Sequence, residues 1–161
     1  MKKTICIIAV LAVIVFVFCS CRSDYYKDYE VQYFGEKTYN EINEPCSAED
    51  KAELKPVLKL AEKAFSAFPK SEKEAEKQFG ELYQYTNYID DPNEIPVTEK
   101  HDIHFITGKV NGDNGYIWLN YTHINYDEKG EELRGDSQIN TRWTLKKKNG
   151  EWTVTATLES P

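Results

Sequence analysis

Across residues 138–158 apolar and polar side chains alternate on both sides of a turn, and a pattern of that kind leaves the chain little choice but a β-hairpin. Ile139, Thr141, Trp143 and Leu145, then Trp152, Val154, Ala156 and Leu158, fall on one face, while Asn140, Arg142, Thr144, Glu151, Thr153, Thr155 and Thr157 take the alternate positions. Between the arms stands Lys147-Lys148-Asn149-Gly150, and Asn-Gly accepts the two positive φ angles of a type I′ turn. The apolar face needs cover, so the hairpin predicts a second layer elsewhere in the chain, with Trp143 and Trp152 in the core beneath it.

That layer is legible upstream. Ser47, with Asp50 three residues on, opens a helix in which Leu54, Val57, Leu58, Ala61, Phe65 and Phe68 recur at three- and four-residue steps. Pro56 has no amide proton, so either the regular helix begins near it or an earlier turn is kinked there. Ser71-Glu72-Lys73-Glu74 is a capping box followed by Ala75, Phe79, Leu82, Tyr83 and Ile89, which predicts a second helix to about Tyr88 with a bend at Gly80. Residues 94–100, interrupted by Pro96, are at best an edge strand. Ile103, Phe105 and Thr107 then alternate toward the turn Gly112-Asp113-Asn114-Gly115. Residues 116–126 form a long strand with Ile117, Leu119, Tyr121 and His123 on one face and Tyr116, Trp118, Asn120, Thr122 and Ile124 on the other. Asp127-Glu128-Lys129-Gly130 turns the chain back, and connections this short favour an antiparallel meander.

The first twenty residues are of another kind. Lys2 and Lys3 precede an apolar run over residues 5–18, shorter than the roughly 20 residues a membrane span needs and suited to the core of a signal peptide. Ser20-Cys21 at its end resembles the lipobox of bacterial lipoproteins, although Phe18 replaces the usual leucine and Cys19 is an uncommon neighbour. The resemblance implies cleavage before Cys21, a diacylglyceryl thioether on its sulfur and further acylation such as palmitate. It places the mature protein in the cell envelope, lipid-anchored on the extracytoplasmic side of a bacterial membrane. The whole chain carries a formal charge of −7, and the leader removes two lysines and no acid, so the mature chain is more acidic still. That balance excludes nucleic acid as a natural partner and makes the lipid, not the protein surface, the means of membrane attachment. Of the four cysteines, Cys46 alone stays free, which leaves no intramolecular disulfide and no cysteine metal cluster. Residues 21–46 read as an acidic tether, expected to be a mobile arm; five of the eleven tyrosines lie in it, more than a bare spacer uses, which makes docking on the domain or at the headgroup level the alternative.

Two helices packed on one face of a curved antiparallel meander of four to five strands make an α+β domain over residues 47–161, after the signal peptide (1–20) and the lipidated tether (21–46). The order of elements, and the ending W-x-L-K-K-x-N-G-x-W-x-V from Trp143 to Val154, resemble the cystatin-like, NTF2-like cone domains found in bacterial extracytoplasmic lipoproteins. The resemblance implies a concave sheet face that holds a ligand or, in enzymes of this kind, the reaction; Tyr83, Tyr121 and His123 would line such a pocket.

Read from the residues alone, the chemistry is sparse. His101 and His104 point to opposite faces of a strand and have no third ligand at zinc spacing, so no metal site is expected. No phosphate loop, dinucleotide glycine pattern or nucleophile elbow is present, and no cofactor is implied. Trp118, on the far face of its strand, is the candidate surface contact, through which the open sheet face would form a homodimer. Arg134-Gly135-Asp136 falls in the connection before the hairpin and is short enough to recur by chance, and Lys146 to Lys148 read as a solvated hairpin end. The function expected is non-enzymatic binding of a protein or small ligand; the alternatives are a small enzyme using Tyr121 and His123, or a dimerising assembly module.

Overall fold

The computed structural model describes residues 29–159, which fall into two compact units divided between Tyr39 and Asn40. The leader and Cys21 lie outside the described residues. Among those described, no helix is long and apolar enough to cross a membrane. In the first unit residues 29–34 are helical and a one-turn helix, Glu36–Tyr39, follows Gly35. Phe34 stacks on Tyr39 with ring centroids 6.4 Å apart.

The second unit begins seven residues before the expected start of the domain at 47, with a 3₁₀ turn, Asn40–Asn43. Residues 40–44 are therefore no tether. They bind the sheet through polar contacts: Glu44 accepts from Thr107 Oγ1 through its carbonyl (2.7 Å), and the Glu41 carboxylate accepts from both Arg142 Nε (2.6 Å) and Arg142 Nη2 (3.2 Å). Such bidentate pairing is the strong form of a charge-assisted hydrogen bond.

Helix α1 (Ala48–Phe65) is capped by Ser47, whose Oγ accepts from the Asp50 amide at 3.0 Å. It runs unbroken through Pro56, neither starting there nor ending. Pro56 is exposed, so the Ala52 carbonyl that loses its intrahelical partner faces water. The buried stripe is Leu54, Val57, Ala61, Ala64 and Phe65. Helix α2 (Glu72–Phe79), capped by Ser71, stops short of the expected Tyr88. Gly80 takes φ 57° and ψ −131°, a combination open to glycine and strained for other residues, and the chain continues as a 3₁₀ turn, Gly80–Tyr85. The change of period rotates the side chains that follow. Tyr85 and Leu82 go into the core, and Tyr83 turns out beside Tyr88, their rings 6.3 Å apart.

Four strands, not five, form one antiparallel sheet in the order β1 (Thr98–Asn111), β2 (Asn114–Tyr126), β3 (Glu132–Lys148) and β4 (Glu151–Glu159). The stretch with Pro96 contributes only the first residues of β1. The hairpin turn has Asn149 at φ 54° and Gly150 at φ 85°, as a type I′ turn requires. Trp143, Leu145, Trp152 and Val154 are buried under α1 and the 3₁₀ turn, as the alternation requires. Lys147 is not simply solvated. It lies over the Trp152 ring at 4.7 Å and pairs with Glu53.

Each strand pairing contains a register slip of one residue, the β2–β3 pairing a second one between Asn125 and Tyr126, and each slip turns the remainder of a strand over. Between β1 and β2, Phe105 faces Leu119 but Thr107 faces Trp118, so Thr107 joins the outer face. Between β2 and β3, Tyr121 faces Ile139 but His123 faces Asp136, with Gln138 at φ 60° in the bulge. Between β3 and β4, Thr144 faces Ala156 but Leu145 faces Val154, leaving Thr155 as the extra residue. Beyond it the expected alternation is reversed: Leu158 stands opposite Arg142 and is 37% exposed, whereas Glu159 stands opposite Thr141 and reaches the inner face.

The outward face of β2 is not open. Trp118 is fully buried, and its indole Nε1 donates to Glu41 at 3.2 Å, so it is an internal fixture and not the surface contact its position in the strand implied.

The reversal of β4 has a paired test. Leu145→Ala should cost about 2–5 kcal/mol, because its side chain is buried in the core, and Leu158→Ala less than about 1 kcal/mol. Urea midpoints of the two variants against the parent give both values.

Candidate functional site

Two polar assemblies occupy the inner face of the sheet, and the slips described above build both. The first centres on Tyr85. Trp143 Nε1 donates to its phenol oxygen (3.0 Å), the phenol donates to Glu159 Oε2 (3.0 Å), and Thr141 Oγ1 lies 2.9 Å away. The indole can only donate and a carboxylate only accept, so the single phenol proton goes to Glu159, while the Thr141 hydroxyl also reaches the Leu158 carbonyl as a donor (3.3 Å). Tyr121 also donates to Glu159, through Oε1. Burial, then the Glu159 charge, pushes both phenols well above the usual tyrosine value, so they stay protonated. Burial likewise raises the Glu159 carboxyl, against the pull of the two phenol hydrogen bonds. Phe65 packs against Tyr121 and Tyr85, with centroids at 5.0 Å and 5.2 Å. The assembly is closed and committed: each phenol hydrogen bond is made inside the protein.

The second lies at the far end of β2 and β3. Gln84, Thr86 and Tyr88, from the 3₁₀ turn and the segment after it, face His123 and Asn125 of β2 and Arg134, Gly135 and Asp136 of β3 across a cleft of about 230 Å³. The β2–β3 slip is what sets Asp136 opposite His123 and Arg134 opposite Asn125. The sequence tripeptide Arg134-Gly135-Asp136 is thus part of strand β3 and not a loop. Arg134 is held in three ways: Nη1 donates to Asp90 (2.7 Å), Nη2 to the Tyr88 carbonyl (3.0 Å), and the guanidinium sits 5.7 Å from the centre of the Tyr88 ring.

His123 is 8% exposed and Asn125 3%, yet His123 Nε2 and Asn125 Oδ1 are buried without a hydrogen-bond partner. An unpaired buried polar atom costs about 1–3 kcal/mol, so two in one cleft are a feature to explain. Burial, then the charges of His101 and Arg134, lowers the His123 pKa to about 4, so the ring is neutral at pH 7. His101, its cross-strand neighbour, goes the other way. Burial opposes its charge, but hydrogen bonds to Glu62 and Glu99, both 2.8 Å, outweigh burial and raise it.

Of the three residues expected to share a pocket, only His123 lines the cleft. Tyr121 is spent on Glu159, and Tyr83 lies on the other side of the 3₁₀ turn, where Tyr85 has taken the inward position. Asn125, Asp136 and Arg134 went unread as cleft residues. A strict period of two along residues 134–139 puts Asp136 and Arg134 on the face opposite Ile139, and only the bulge at Gln138 brings them to the inner face. His104 pairs with Asp102 in solvent, away from His101. Among the described residues no cluster of three metal-ligating side chains occurs. A second groove of about 330 Å³ runs between Ile95 and Val97 and the turn at Asp127, but the Asp127 carboxylate is used by the amides of Lys129 and Glu131.

No family model and no curated protein matches this sequence. Among solved structures, the association domain of C. elegans CaMKII is similar over 38% of this chain at 15% identity and a TM-score of 0.28. The chain spans about half (48%) of that domain's length, and a likeness of this extent carries no argument about assembly.

A histidine whose pKa falls on folding leaves the native state with fewer bound protons than the unfolded state between the folded value of about 4 and the ordinary 6.5. Stability from this site is complete above pH 6.5 and is lost as pH falls toward 4, by at most about 1.4 kcal/mol per pH unit. Glu159, with its raised carboxyl, works in the opposite sense at the acid end, so the comparison is between proteins: His123→Gln should lack the rise in urea midpoint that the parent gains over that interval.

Proposed function

We propose that this protein is a lipid-anchored extracytoplasmic binding module that holds a small polar ligand in the cleft between His123, Asn125, Asp136 and Thr86. The observation that carries the reading is the pair of buried polar atoms without partners, His123 Nε2 and Asn125 Oδ1, on residues that line one half-open cleft. Ligand sites combine a pre-formed concavity with a few convergent polar groups of this sort. Helices laid over one face of a four-stranded meander, with the cleft at one end of that face, agree with the NTF2-like resemblance of the sequence.

Binding is favoured over catalysis by two features. With a pKa near 4, His123 is a weak base at neutral pH, whereas general-base catalysis works best with a pKa near the operating pH. Tyr121, the partner an enzyme of this kind would use, has its proton held by Glu159. Assembly through Trp118 is disfavoured by the burial of that side chain. The anchor rests on Ser20-Cys21 and the leader before it.

Two measurements test the reading. A panel of small polar compounds screened by thermal shift on the purified full chain should give stabilising hits that disappear in Asn125→Ala and His123→Gln; hits that survive both substitutions would place the ligand elsewhere. For the anchor, Cys21→Ser should leave the precursor uncleaved and remove incorporated fatty-acid label, and label retained in that variant would rule out Cys21 as the attachment point.

A further inference from the structure

The unpaired groups of the cleft define a class of ligand, on the reading just given that the cleft is a binding site. Asn125 Oδ1 and the Asp136 carboxylate can only accept hydrogen bonds, so what they meet must donate. The one full positive charge in the lining, Arg134, is already matched by Asp90, with its second terminal nitrogen on the Tyr88 carbonyl. His101, the next basic side chain along the inner face, stands between Glu62 and Glu99. Asp136 is exposed and has no hydrogen bond or ion pair among the described residues. The charge left uncompensated at the cleft is therefore negative, and the net charge of −7 on the whole chain adds a field of the same sign.

We propose that the cleft binds a small organic cation: a ligand with a protonated amine, set against the Asp136 carboxylate, and a second donor directed to Asn125 Oδ1 or His123 Nε2. Asp136 stands opposite His123 and two residue pairs along from Asn125, on the same face, which puts the three within the span of one short polar molecule. A volume of about 230 Å³, at roughly 30 Å³ per water molecule, admits a ligand of under about ten non-hydrogen atoms. Neutral His123 adds no repulsion to an entering cation, and Tyr88, whose ring also lines the cleft, offers a flat wall.

The test uses the ¹⁵N-labelled full chain in detergent at pH 7, titrated with millimolar ethanolamine, ethylene glycol or glycolate while the Asn125 side-chain amide and the His123 ring are followed by NMR. Ethanolamine should give a saturable shift of both residues that the neutral and anionic probes do not, and Asp136→Asn, a substitution of an exposed side chain, should weaken it at least about tenfold. Equal or better binding of ethylene glycol or glycolate at the same signals overturns the cationic class while leaving the cleft as the ligand site. Ethanolamine binding unchanged in Asp136→Asn overturns the assignment of the carboxylate. No perturbation by any of the three, together with no cleft-dependent hit in the wider screen, overturns the cleft itself.

Discussion

A β-strand has two faces and no more, so a single extra residue exchanges them for everything downstream. Much of this structure depends on where that exchange happens. One slip puts Thr107 outside, where it can hold the Glu44 carbonyl; another puts Asp136 and Arg134 inside, where they complete the cleft; a third turns β4 over and delivers Glu159 to two buried phenols. Without the third, Leu158 would face Tyr85, and the phenol would lose the carboxylate that accepts its proton.

The two polar assemblies on the inner face differ in one respect that separates support from function. Around Tyr85 the donors and acceptors balance, and a balanced buried network fixes one arrangement of its members. It ties the 3₁₀ turn to β3 and β4 and so sets the position of Thr86 and Tyr88, which follow directly. In the cleft the count does not balance, because buried polar atoms remain without partners. The closed network thus positions one wall of the open one.

The class of fold was legible because it rests on periodicity. Spacing of three and four marked α1, alternation marked the hairpin, and Asn149-Gly150 named its turn. Trp143 and Trp152 were placed in the core for the same reason. The slips were not legible: Ile106, Gln138 and Thr155 carry no compositional mark of a bulge, since none is glycine or proline. Nor was the docking of residues 40–44, which offer a single apolar side chain, Ile42, and hold on through carboxylates, Glu41 to Arg142 and Trp118 and Glu44 to Lys109 and Tyr116. Gly80 did announce a break in the second helix, but not the tighter 3₁₀ period after it, and that period exchanged Tyr83 for Tyr85. His123 was a pocket candidate by resemblance and lines the cleft, but the acidic group facing it, Asp136, was hidden by the slip between them.

The extra residue in β4 also bears on how this chain should be compared with relatives. A relative lacking the counterpart of Thr155 would be one position shorter there, and an ungapped alignment through that point would equate its inward side chains with outward ones here. Glu159 would be read against a solvent-facing position and Leu158 against a core one. Substitution patterns in the final strand are interpretable only once a single gap has been placed at the bulge, so what looks like divergence in chemistry would be a difference in length.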